Sequence, residues 1–248
     1  MLETLRTARG VFRSLRIYYG HRKRSAAMDD FYRRFVRPDD LVFDVGAHVG
    51  DHIGVFRRLG ARVVALEPQP ALARVLRMIY GRDRAVVLKE AAIGRSSGVA
   101  NLMINIDNPT ISTASQQFMQ AAHGAAGWEG QAWTKSVAVP MTTLDALIAE
   151  HGKPSFIKID VEGFEAEALA GLTQAVPALS FEFTTIQRDV ALACAERCNA
   201  LGMTRFNAAL GDIKKLVHDD WVDCKQIERW LSALPHDANS GDVYALAG

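Results

Sequence analysis

Cysteine is scarce in this sequence of 248 residues. Cys194, Cys198 and Cys224 are the only three, and an odd, small number in a large chain is typical of a reducing compartment. Cys194 and Cys198 lie one helical turn apart, but no Cys or His partners follow at the spacing of a zinc site. We therefore interpret this pair as small apolar helix residues and predict no metal centre.

Long apolar runs and a strong net charge are also missing. No apolar run approaches 18 residues, so we predict no membrane-spanning helix. Arginines interrupt the first 24 residues, which therefore lack the apolar core of a signal peptide, and we expect a cytoplasmic protein. The formal net charge of +1 gives no strong attraction to nucleic acid, and we predict no nucleic-acid partner.

The basic residues are unevenly distributed along the chain. Ten Arg or Lys residues precede Pro38, against only Glu3, Asp29 and Asp30. The pattern over 2–37 is helical, and we predict a basic helical extension over 1–37. It packs on the remaining domain or, alternatively, contacts an anionic membrane face or an acidic partner as a peripheral segment.

Residues 38–248 show the alternation of an α/β domain. Helices alternate with buried strands, which predicts a mostly parallel sheet with right-handed crossovers. Between 95 and 140 an insertion is predicted as two further strands joined by a mobile loop. The remaining strands are predicted at 41–45, 62–67, 155–160 and 179–184, a further strand with its loop is predicted over 85–94, and closing strands are predicted in "MTRFNAA" and "DVYALA". Helices are predicted at 50–59, 70–81, 142–152, 164–172 and 189–202.

A glycine-spaced turn follows the first strand in "LVFDVGAHVGD". The strand delivers Asp44 to the sheet edge, and Gly46 permits a tight turn whose backbone amides approach a ligand. The next helix points its positive end at the same place. The dinucleotide fingerprint G-x-G-x-x-G is absent, because the glycines are Gly46, Gly50 and Gly54.

Glu67 ends the second strand in "VVALEP". A carboxylate at this position can accept both ribose hydroxyls of an adenosine. The alternative is a solvated glutamate at a strand end. Because NAD and S-adenosylmethionine both contain that ribose, Glu67 does not separate the two cofactors.

A second acidic segment, "FIKIDVEGFEAEAL", covers 156–169. Asp160 and Glu162 leave the strand at the carboxyl edge of the sheet, where ligands bind. Two further glutamates of the segment, Glu165 and Glu167, suit a helix N-terminus without any other role. A buried Lys158 needs a carboxylate partner, for which Glu182 and Asp44 are the candidates.

Five segments in this order resemble the FkbM family of S-adenosylmethionine-dependent methyltransferases. They are "FDVGAHVGD", "VVALEP", "EAAIG", "VPMTTLDALI" and "IKIDVEGFEAEALAGL". The resemblance covers roughly 40–185. It implies a Rossmann-like class I methyltransferase fold, an α/β domain whose mostly parallel seven-stranded sheet has helices on both faces and one antiparallel strand near its C-terminal edge.

The resemblance also implies how S-adenosylmethionine is held. Its methionine moiety is cradled by the glycine turn, namely Asp44, Gly46, Ala47, His48 and Gly50. Its ribose and adenine contact Glu67, Pro68, Glu90, Ala91 and Ala92, and Asp160 lies near the sulfonium. The family often has Asn in place of His48.

The acceptor that the resemblance implies is a hydroxyl of a sugar, glycan or natural-product-type small molecule. Residues 1–37 and 100–135 have no counterpart, and we expect them to determine the substrate.

Three side chains are candidates for the general base that removes the acceptor proton: Asp160, which we place first, Glu162 and His48. In a second scheme Asp160, Glu162 or Glu182 holds a hard cation, although no compact ligand set is visible in the sequence.

Two other functions stay open, an NAD-dependent oxidoreductase or epimerase and a non-catalytic cofactor-binding adapter. The former would need G-x-G-x-x-G and a Tyr/Lys pair, and neither is evident.

Overall fold

The structure, a computed structural model, describes residues 2–20, 22–211 and 215–248. Its α-helices are α1 Leu2–Tyr19, α2 Arg22–Tyr32, α3 Asp51–Arg58, α4 Pro70–Tyr80, α5 Gln116–Ala122, α6 Leu144–His151, α7 Glu165–Ala170, α8 Arg188–Ala200 and α9 Cys224–Ala233. The strands are β1 Leu41–Val45, β2 Arg62–Leu66, β3 Val86–Lys89, β4 Ala92–Ile93, β5 Gly98–Ile104, β6 Lys135–Thr142, β7 Phe156–Ile159, β8 Ala178–Thr184, β9 Arg205–Leu210 and β10 Ser240–Leu246.

Seven strands form the main sheet in the order β3-β2-β1-β7-β8-β10-β9. All neighbouring pairs from β3 to β8 are parallel, whereas β10 runs antiparallel to both β8 and β9. This is the predicted mostly parallel sheet with one antiparallel strand near its edge. The predicted Rossmann-like class I methyltransferase fold is therefore confirmed.

The centre of the sheet determines where a ligand can bind. β1 pairs with β2 on one side and with β7 on the other, in a register that aligns Val45 with Leu66 and with Ile159. β2 and β7 lie on opposite sides of β1 in the sheet. The strand order therefore reverses at β1. The turns at 46–50, 67–69 and 160–164 consequently meet at one edge, the usual ligand position in such sheets.

Helices bury both faces of the central strands. All five residues of β1 and all four of β7 are buried, which matches their continuous apolar sequence. On one face Phe43, Ile157 and Leu169 share a core. On the other face α2 contributes Phe31 and Tyr32, among others, to a second core. The boundary that we placed at residue 37 remains a prediction.

The insertion forms a second sheet, in the order β4-β6-β5. The strand with its loop that we predicted over 85–94 is present as β3, which ends at Lys89. The part expected as loop also contains the short strand β4, in which Ala92 pairs with Met141 of β6. The segment between β5 and β6 is more regular than the loop we predicted. It contains a 3-10 turn, Pro109–Ile111, and α5, whose first turn is capped by Ser115 accepting from Phe118 N at 3.0 Å.

The described part of the chain contains no helix that is both long enough and apolar enough to cross a bilayer.

Candidate active site

A cavity of about 450 Å³ opens at the carboxyl edge of β1, β2 and β7. Its size is that of a small-molecule site. Of the residues predicted from the sequence, it is lined by Gly46, His48, Glu67, Pro68, Ala91, Ala92, Asp160 and Glu162. Four predicted residues do not line it: Asp44, Ala47, Gly50 and Glu90. Glu90 instead forms an exposed ion pair with Arg77.

The glycine turn uses its amides inside the protein. Gly46 N and Ala47 N donate to the carbonyl of Leu66 at 3.0 and 2.8 Å. His48 N donates to Glu67 Oε2 at 2.8 Å. We expected the backbone amides of this turn to approach a ligand, and for these three amides that prediction is wrong, because Leu66 O and the Glu67 carboxylate already accept from them.

Two glycines of the turn are required by close packing. Gly46 has a φ of 85°, and a Cβ there would lie 1.8 Å from the carbonyl oxygen of Asp160. Gly50 has a φ of 87°, and its Cβ would lie 2.6 Å from the ring of Tyr80. Any L side chain would be strained at both positions. Gly46 therefore allows the turns after β1 and β7 to approach each other, and Gly50 allows the turn after β1 to pack against α4.

Glu67 is the carboxylate that the turn surrounds. Its side chain lines the cavity although the residue is only 4% exposed. Each carboxylate oxygen accepts one backbone N–H, Oε2 from His48 and Oε1 from Gln69, both at 2.8 Å. Burial raises the pKa of Glu67 to about 8, although the two N–H groups act in the opposite direction. Each oxygen retains a lone pair that a hydroxyl donor can use.

Asp44 lies directly behind the cavity wall, which its neighbours Val45 and Gly46 form. It is 1% exposed, and its Oδ2 has no hydrogen-bond partner among the described residues. Burial raises the pKa of this carboxyl to about 6. A buried acceptor without a donor is costly in a native protein. Asp44 is therefore a buried acceptor next to the cavity, although its own side chain does not line the cavity.

His48 is enclosed between two segments that the sequence did not connect with it. Its ring meets that of Tyr18 edge to face at 5.3 Å, and its Nε2 lies 3.5 Å from Thr110 Oγ1. Burial lowers the pKa of His48. The imidazole is therefore neutral near pH 7 and can accept a proton.

Asp160, Glu162 and Glu182 form the acidic side of the cavity. Each of the three offers an oxygen, and these oxygens lie within 4.8 Å of one another. Burial and then the neighbouring carboxylates raise the pKa values of Glu162 and Glu182 well above their ordinary range. The compact set that was not visible in the sequence thus exists in the fold, because β7 and β8 are neighbours.

Lys158 has a different partner from the two that we predicted. Its Nζ donates to Asp160 Oδ2 at 2.7 Å, not to Glu182 or Asp44. Burial alone would lower the pKa of Lys158, but Asp160 and the other acids nearby raise it well above its ordinary value. The prediction failed because Asp160 lies two residues further on the same face of the strand.

The two glutamates of α7 behave as structural residues. Glu165 is 2% exposed, and its Oε1 accepts from Val161 N at 2.9 Å, which fixes the turn after β7. Glu167 forms an ion pair with Arg95 at 2.7 Å on the surface. Neither side chain lines the cavity.

Several cavity residues lie in segments for which the sequence offered no individual candidate. From the N-terminal helices these are Tyr18 and Arg24, whose guanidinium lies 4.9 Å from the Tyr18 ring and binds Asp51 at 3.1 Å. From the insertion they are Thr110, Ile111, Ser112, Ala114 and Trp128. Thr113 Oγ1 also donates to the Glu162 carbonyl at 2.7 Å. No motif marks these residues, although their segments were expected to determine the substrate.

Comparison with known proteins identifies the family. The model of the methyltransferase FkbM domain matches residues 44–233, which is most of the chain. The chain belongs to the FkbM methyltransferase family. This confirms the family predicted from the five sequence segments, and it gives no support to an oxidoreductase.

One curated relative is the hexuronic acid methyltransferase AglP of Haloferax volcanii. It is 28% identical over 157 residues, which are 61% of this chain and 58% of the relative's length. Among solved structures, the O-methyltransferase from Bacillus cereus in complex with SAH is 10% identical and covers 96% of this chain and 90% of its own, with a TM-score of 0.46. A TehB-like methyltransferase from Corynebacterium glutamicum is 9% identical and covers 90% and 88%, with a TM-score of 0.47.

The residues present fit the cofactor of an FkbM methyltransferase. Glu67 offers its carboxylate at the end of β2, where a ribose diol is recognised in this sheet type. Pro68, Ala91 and Ala92 supply an apolar wall beside it. Asp44 supplies a buried acceptor that lacks a donor. The individual contacts to S-adenosylmethionine remain predictions.

Proposed function

We propose that this chain is an S-adenosylmethionine-dependent methyltransferase that acts on a hydroxyl of a sugar or a sugar-like small molecule. The observation that carries the proposal is the position of Glu67, buried at the end of β2 with its carboxylate on the cavity wall. The FkbM family match supports the cofactor, and the name of the Haloferax relative supports a hexuronic acid as the acceptor class.

The cofactor is held by the residues at the ends of β1 and β2. Glu67 accepts the ribose hydroxyls, and Pro68, Ala91 and Ala92 flank the adenine, whereas Glu90 pairs with Arg77 on the surface and takes no part in the site. The turn from Asp44 to Gly50 holds the methionine part. When bound, S-adenosylmethionine supplies an already activated methyl group. The remaining task of the chain is to orient the acceptor and to remove its proton.

The acceptor occupies the part of the cavity between the N-terminal helices, the insertion and the acidic side. Tyr18, Thr110, Trp128 and Asp160 from these three elements all line the cavity. Asp160 remains our first candidate for the general base, with Glu162 and His48 as the others. His48 gains support from its burial, which keeps the imidazole neutral, and from its position beside Thr110.

Transfer of a labelled methyl group tests this function. The protein is incubated with labelled S-adenosylmethionine and hexuronic acid glycosides, with the matched neutral hexose glycosides in parallel. We expect labelled methyl ethers, and a loss of about 100-fold or more in kcat for Asp160→Asn. The control Glu90→Gln, on the surface, should retain the wild-type rate. Product analysis by NMR distinguishes a methyl ether from a methyl ester, and an ester would contradict the hydroxyl acceptor. Cofactor binding without transfer to any acceptor would favour the adapter.

Helix α1 supports a contact between the protein and an anionic membrane surface. Leu5 and Phe12 are 62% and 69% exposed, and the exposed Arg9 and Arg16 lie on the same helical face. The opposite face packs through Gly10 near Pro109. An apolar stripe flanked by arginines suits anionic lipid headgroups.

A further inference from the structure

We propose that Asp160, Glu162 and Glu182 form a binding site for one divalent cation of the Mg²⁺ or Mn²⁺ type. The proposal deepens the proposed function, because the site lies in the same cavity and a cation there would make an acceptor hydroxyl more acidic. Neither the family match nor the named relative assigns such a site.

The geometry is that of a ligand set. The three residues come from the end of β7, the turn after it and the neighbouring strand β8, and one oxygen of each lies within 4.8 Å of the others. Carboxylate oxygens are the preferred ligands of hard divalent cations, which also keep water or substrate oxygens in their remaining positions. The open cavity beside the three carboxylates leaves room for such oxygens.

Two carboxylates of the cluster have buried oxygens without a hydrogen-bond or ion-pair partner among the described residues. Glu162 is only 8% exposed and lines the cavity, yet its carboxylate has no hydrogen bond or ion pair with any residue that the structure describes. Glu182 Oε2 is also buried without a hydrogen-bond partner within the described ranges. Buried carboxylates are normally paired or coordinate a metal. These orphan oxygens lie in the cluster itself, so they indicate a missing ligand there.

The backbone at Glu162 supports the same interpretation. Its φ is 54°, an uncommon conformation for a non-glycine residue. The insertion fixes it, because Thr113 Oγ1 donates to the Glu162 carbonyl at 2.7 Å. The contact holds the turn that presents the Glu162 side chain to the cavity.

The charges are consistent with a divalent ion. Lys158 Nζ binds Asp160 Oδ2, which leaves Asp160 Oδ1 available to a cation. Binding of a cation displaces the protons of the carboxyl groups that coordinate it. Three carboxylates ionised in this way and one ammonium group carry two net negative charges, which one divalent ion neutralises. Because Asp160 and Glu162 are both ligands in this proposal, His48 is the one of the three candidates for the general base that does not bind the ion.

The test measures Mn²⁺ binding to the whole chain by electron paramagnetic resonance, after bound metal has been removed with a chelator. We expect one Mn²⁺ per chain, displaced by Mg²⁺. Either Glu162→Gln or Glu182→Gln should weaken the binding by about tenfold or more. The matched control Glu167→Gln removes a nearby carboxylate that lies outside the cavity and should bind Mn²⁺ like the wild type.

Two results would overturn the proposal. One is the absence of saturable Mn²⁺ binding up to about 1 mM, with and without S-adenosylhomocysteine. The other is equal binding by both variants, which would place the ion elsewhere. Calorimetric titration of the same preparations with S-adenosylhomocysteine separates the proposals. Cofactor binding without Mn²⁺ binding rejects the cation site alone, whereas the absence of cofactor binding rejects the proposed function.

Discussion

At the scale of single residues, Glu67 shows what a sequence can and cannot reveal. Its position after a buried strand and near a glycine turn predicted a carboxylate at the ligand edge, and the structure places it on the cavity wall. Its two backbone donors were not predictable, because they depend on how the turn after β1 folds across β2. The same limit applies to Lys158, because its ion-pair partner Asp160 depends on the side-chain geometry at the end of β7.

The buried carboxyls predict an unusual dependence of stability on pH. Burial raises the pKa values of Asp44, Glu165 and Glu67 to about 6, 7 and 8. In the unfolded chain these groups lose their protons near pH 4, so between about pH 5 and 8 the folded state binds more protons than the unfolded state. The free energy of unfolding should therefore fall as the pH rises through this range.

Urea unfolding of the cofactor-free protein at several pH values measures this slope. We expect Glu67→Gln to make the fall shallower by up to about 1.4 kcal/mol per pH unit, because one titrating proton is removed. Glu90→Gln changes an exposed carboxylate and should retain the wild-type slope. A stability that rises between pH 5 and 8 would show that these carboxyls are ionised in the folded protein.

At the scale of elements, strands and the helices of the α/β alternation were predicted, even a helix as short as α7. β1 and β7 were visible as continuous apolar runs bounded by turn residues. Two other helices, α5 and α9, were missed. The signal for α9 was present, since Asp223 and Gln226 form a capping box at its start. In α5 the Gln- and Ala-rich sequence carries weak periodicity, and packing of Phe118 against Trp128 and Trp133 stabilises the segment.

Helix α1 gives the prediction at this scale. If its exposed face contacts an anionic bilayer, the protein should sediment with vesicles that contain phosphatidylglycerol, and less with vesicles of phosphatidylcholine alone. Phe12→Ser and Arg9→Glu should each reduce the bound fraction. Val99→Ser removes an apolar side chain that is 71% exposed in β5 and serves as the control. An equal bound fraction with both kinds of vesicle, or an unchanged bound fraction in both α1 variants, would reject this contact.

At the scale of the whole molecule, alternation of strands and helices was sufficient for a parallel sheet. The antiparallel strand followed from the family resemblance, because pattern alone does not give strand direction. The site was predictable where it consists of strand ends, as at Asp160 and Glu67. It was not predictable where it consists of contacts between distant segments, as at Tyr18 and His48, because only the folded chain brings these together.

The central claim is that the edge of β1, β2 and β7 binds S-adenosylmethionine. Calorimetric titration with S-adenosylhomocysteine, with NAD in parallel, tests it most directly. We predict that S-adenosylhomocysteine binds and NAD does not, that Glu67→Gln weakens binding by about tenfold or more, and that Glu90→Gln does so at most slightly. Binding of NAD instead, or S-adenosylhomocysteine binding that is unchanged in Glu67→Gln, would contradict the account.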